Sequence, residues 1–70
     1  MAKIIWKKNK DNVFFGIGAP FFIIFQDFIT GKWNLEVRYK FKKTYTTIEL
    51  DSIEECKTRA EEFREVAERG

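Results

Sequence analysis

Residues 32–42 read Lys-Trp-Asn-Leu-Glu-Val-Arg-Tyr-Lys-Phe-Lys. Trp33, Leu35, Val37, Tyr39 and Phe41 alternate with Lys32, Asn34, Glu36, Arg38, Lys40 and Lys42. A period of two puts the apolar set on one face and the charged set on the other, which is the pattern of a half-buried antiparallel strand. Thr30-Gly31 in front of it supplies turn chemistry, because glycine takes positive φ without steric cost. A turn there implies a partner strand upstream. Phe21 to Phe28 fits that role and is apolar at nearly every position, so both of its faces are covered or sticky.

Working outward, Val13 to Gly18 reads as a strand joined to the next through Ala19-Pro20. Ile4 to Lys8 reads as another, turned back by the cluster Asn9-Lys10-Asp11-Asn12. Thr44 to Leu50 is rich in β-formers and pairs after a tight turn near Lys42-Lys43. The period then changes. Asp51 and Ser52 can each cap a helix, with Glu54 and Glu55 three positions on, so either pair can form a capping box. Ile53, Cys56, Ala60, Phe63 and Ala67 follow at helical spacing as a narrow apolar stripe flanked by Val66, over a helix of about 52–69. Phe63 is the expected main anchor of that helix, with Ile53 beside it. The expected fold is α+β: a single domain over 1–70, with a four- to five-stranded antiparallel meander and one C-terminal amphipathic helix packed on one face.

Composition bounds the function. The chain has 70 residues, no His, one Cys, and 13 basic against 11 acidic residues. Without His it lacks the commonest general base and the commonest neutral metal ligand. A single Cys excludes an internal disulfide and a cysteine-based zinc site, and it points to a reducing, cytoplasmic compartment. Asp11, Asp27 and Glu36 are the acids of the sheet half, and no spacing pairs two of them for acid–base work. Cys56 has no His to activate it and reads as a small buried hydrophobe. Gly16-Ile17-Gly18 is too short for a phosphate loop and reads as a close-packing point in a strand. No catalytic residue, metal ligand or cofactor is expected.

Lys3, Lys7, Lys8 and Lys10 ahead of the apolar run Val13–Phe25 have the outline of a signal peptide. Asp11 within the basic region and the lack of a small-residue cleavage site argue against that. Gly16, Gly18 and Pro20 break the run, so no membrane association is expected.

Trp6, Phe15, Gly18, Trp33, Ser52, Glu54 and Glu55 give an early Trp, a hairpin, a Gly-containing strand, a Trp-led strand and a Ser-x-Glu-Glu helix start. This pattern resembles many small phage and prophage proteins. The resemblance implies a binding role, as an inhibitor of host defence or as a DNA-binding accessory. Residues 33–67 also resemble the three-stranded sheet plus helix of phage integrase arm domains and AP2 domains. Lys42-Lys43-Thr44 stands where those domains carry a Gly-rich, Arg-rich hairpin.

Two surfaces are candidates for binding. Lys32, Arg38, Lys40 and Lys42 share the outward face of one strand and could follow a phosphate backbone. Residues 1–43 carry nine basic and three acidic residues, and 44–70 carry four basic and eight acidic. Any nucleic acid must therefore meet the sheet and avoid the helix. The second surface is aromatic. Twelve rings are more than one sheet face and one helix readily bury. Phe22, Ile24 and Phe28 are expected to share the uncovered face and meet a host or phage protein, or a second copy as a homodimer. The bland readings are solvated lysines that blunt strand edges and a curled sheet that hides its own rings. A protein-binding inhibitor or adaptor is preferred, because +2 is a weak charge for nucleic-acid binding.

Overall fold

The computed structural model describes residues 4–18, 20–39 and 45–69. Five strands, β1 (Ile5–Lys8), β2 (Phe14–Ile17), β3 (Phe21–Gln26), β4 (Trp33–Arg38) and β5 (Tyr45–Leu50), precede one helix, α1 (Ile53–Arg69). They form one sheet in the order β1-β2-β3-β4-β5, with every neighbouring pair antiparallel. This is the expected α+β meander. The short connections leave sequence neighbours as sheet neighbours.

Two hairpin loops lie at one end of the sheet. In the first, Asn9 Oδ1 accepts from the backbone N–H of Asp11 and Val13, and Asn12 holds φ at +60°. Asn tolerates that left-handed conformation better than most residues. In the second, the Asp27 N–H donates to the Lys32 carbonyl and the Gly31 N–H to the Asp27 carbonyl. Gly31 closes the turn at φ +77°. Asp27 Oδ1 accepts from Ile29 and Thr30. This side-chain capture ends β3 at Gln26, two residues before the expected end at Phe28.

Loop closure fixes the register. Phe22 pairs with Val37 and Ile24 with Leu35, while Gly16 lies beside Phe22 and Phe14 beside Ile24. Phe22, Ile24, Leu35 and Val37 are fully buried beneath α1 with Cys56 and Ala60, and Trp6, Phe14, Trp33, Tyr39, Leu50 and Phe63 pack around them. Small residues at the helix contact let its axis approach closely, so Cys56 and Ala60 form the central contact. Phe63, the expected main anchor, is only partly buried, and Ala67 and Val66 are exposed. Ser52 caps the helix. Its Oγ accepts from the Glu55 N–H, and Glu55 Oε2 accepts from the Asp51 N–H.

Two glycines are required by contact. Trp6 lies across Gly16 on the neighbouring strand, where a Cβ would come within 2.9 Å of the indole. The same ring packs on Phe22 at 6.2 Å between centroids. Gly18 sits at φ +136° against the guanidinium of Arg64. Arg64 is buried on the core side of α1. Its Nη2 donates to the carbonyls of Ile17 and Pro20, 2.9 Å each, and its guanidinium lies 5.4 Å from the Phe22 ring. The last turns of α1 are thereby tied to the β2–β3 connection.

Candidate functional site

The face away from α1 is built by the odd-numbered residues of β2 and β3 and the even-numbered residues of β4. Phe15 pairs with Ile23, Ile23 with Glu36, Phe25 with Asn34 and Phe21 with Arg38. Phe15 and Phe21 stack diagonally with centroids 6.3 Å apart. Phe15, Phe21, Ile23 and Phe25 are half-buried, and Ile17 and Ile5 at the edge are 45% and 67% exposed. No described segment of the chain covers this face. Glu36, on the same face, is buried and ion-paired to Arg38 Nε.

β3 leads into the 27–31 loop. Phe28 is 90% exposed and Ile29 96% exposed. A cavity shared by Phe25, Phe28 and Trp33 links the sheet to this loop. Besides the Asp27 bonds, Gln26 Nε2 donates to the Gly31 carbonyl and the Lys32 N–H to Thr30 Oγ1. The two apolar side chains are thus presented by a loop bonded at most of its positions.

The expected interface residues separate. Phe22 and Ile24 are not on the open face; both are fully buried under the helix. The reason is pairing parity: they lie beside Val37 and Leu35, whose face the helix covers. Phe28 does not share a face with Phe22, because the Asp27 turn takes it out of the strand. It is exposed on the loop. Among the described side chains, the rings on the open face are Phe15, Phe21 and Phe25. Strict alternation already set Phe15 and Phe21 opposite Phe14 and Phe22, and only the choice of covered face was missing.

The basic comb is partly neutralised. Lys32 Nζ lies 3.5 Å from Asp51 Oδ1, and Arg38 pairs with Glu36. Lys40 and Lys42 fall outside the described residues. Glu49, paired with Asn34, adds a further carboxylate to the outward face. Cys56 is fully buried, and burial, with the Glu55 carboxylate beside it, pushes its thiol up to about 11. Sequence reasoning missed Arg64. It lies one turn after Ala60, on the helix's apolar stripe, but its charge argued for solvent.

Among the described residues, no group of three or more Cys, Asp and Glu is placed to hold a metal ion. No described helix is long and apolar enough to cross a membrane. Comparison with protein-family models, with curated proteins and with solved structures returns no match.

Proposed function

We propose that this chain is a small non-enzymatic protein-binding module, an inhibitor or adaptor of the phage and prophage kind, acting in the cytoplasm. Its contact surface runs from Phe15, Phe21 and Phe25 on the open sheet face to Phe28 and Ile29 on the adjoining loop. The observation that carries this is the loop: two large apolar side chains, 90% and 96% exposed, held by an ordered hydrogen-bonded turn. Exposed apolar groups that add nothing to the core, contiguous with a ring-lined face, are what an interface uses. Their pre-ordered loop keeps the entropy lost on binding small. The pairing of Lys32 with Asp51 and of Arg38 with Glu36 favours protein over nucleic acid. A duplex would have to compete with both carboxylates.

A photo-crosslinking phenylalanine analogue at position 28, in cells of the native host, tests the reading. The control carries the analogue at position 58, exposed on the helix. A discrete protein adduct from 28 and none from 58 is expected. An adduct of twice the chain mass identifies the partner as a second copy. No adduct from 28, or equal adducts from both positions, contradicts the proposal.

A further inference from the structure

We propose that the cavity between the two hairpin loops receives a cationic side chain, such as that of lysine, presented by the partner polypeptide. The inference rests on the protein-binding reading above and names the chemistry of the partner. The cavity measures about 440 Å³, within the range of small-ligand sites. Asp11, Asn12 and Val13 of the first loop line it, with Phe25 and Gln26 at the end of β3, Phe28 of the second loop and Trp33 at the start of β4.

Phe25, Phe28, Trp33 and the Asp11 carboxylate are among the groups that line it. Ring faces carry the negative lobe of the aromatic quadrupole, and a cation over them is attracted without losing its stem's apolar contacts. Among the described residues the Asp11 carboxylate is in no hydrogen bond or ion pair. Lys32, which follows the second loop, is engaged by Asp51. The Gln26 amide nitrogen is committed to the Gly31 carbonyl, which leaves its oxygen as an acceptor. An anion would meet repulsion from the Asp11 carboxylate. A neutral apolar group would desolvate the carboxylate without a partner. A lysine stem along Val13 and Phe28, with its ammonium toward Asp11, meets both the apolar lining and the carboxylate.

The test is a nuclear magnetic resonance titration of the intact chain, read at the Trp33 indole N–H and the Phe28 ring. The probes are N-acetyl-lysine N-methylamide and its norleucine counterpart, which has the same stem without the ammonium. Saturable shifts with the lysine probe, in the millimolar range, and none with norleucine are expected. Asp11→Asn should weaken binding roughly fivefold, as loss of one charge at an exposed cation site implies. Phe28→Ala should weaken it as well. Both residues are exposed, so the variants should keep the native amide spectrum. Equal binding of norleucine, unchanged affinity in Asp11→Asn, or no saturable shift overturns the cation site. An adduct from position 28 without lysine-dependent shifts would remove this inference alone and leave the protein-binding reading standing.

Discussion

Gly18 and Arg64 show how single residues hold the sheet and helix in one arrangement. A Cβ at position 18 would collide with the Arg64 guanidinium, and the backbone there is one that L-residues rarely adopt. Gly18→Ala is therefore expected to lower stability by roughly 1–3 kcal/mol, read as a lower urea midpoint with unchanged slope. Arg64 was not legible in the sequence. Its place in the helical phase was visible, but the rule that charge faces water overrode it. The structure reconciles the two by giving the guanidinium two carbonyls and a ring in place of a carboxylate. Cys56, by contrast, was legible, because it lies on the apolar stripe with no activating neighbour. Burial raises its thiol from 9.0 to about 11. The unfolded chain therefore releases this proton first, and above pH 9 the native state holds more of it. Cys56 should then cost stability as pH rises from about 9 to 11, with a slope approaching 1.4 kcal/mol per unit. Cys56→Ala should lose this slope when unfolding is followed across that window.

Among the elements, β4 was legible and β3 was not. Alternation places Leu35 and Val37 on the covered face without further information. β3 is apolar at consecutive positions, so its own sequence does not say which parity faces the helix. The hairpin between them holds the answer. A four-residue loop from Phe28 to Gly31 sets Phe22 opposite Val37 and Ile24 opposite Leu35, hence under the helix. Reading Phe28 as strand removed that constraint and sent Phe22 and Ile24 to the wrong face. The side chain of Asp27, which ends the strand, was the overlooked signal. Adjacent substitutions separate the two faces. Phe22→Ala should cost roughly 3–5 kcal/mol, the usual loss for a fully buried ring. Phe21→Ala, half-buried on the open face, should cost about 1 kcal/mol. Equal costs in chemical denaturation would contradict the assignment of faces.

At the scale of the whole molecule, one helix packs on one face of a five-stranded sheet, and no described segment packs on the other. The sequence conveyed this surplus of rings over cover, but not where the surplus comes to the surface. The charge division between the halves was equally legible. Its functional meaning changes once Lys32 and Arg38 are found beside carboxylates. The central claim is that Phe28 and Ile29 are kept for contact with a partner and contribute nothing to the fold. The most direct test is guanidinium denaturation of a Phe28→Ser, Ile29→Ser double variant of the free chain. Both side chains are almost fully exposed, so the unfolding free energy should stay within about 0.5 kcal/mol of the parent. A loss of about 2 kcal/mol or more would show that the two residues are part of the fold, and would contradict the account.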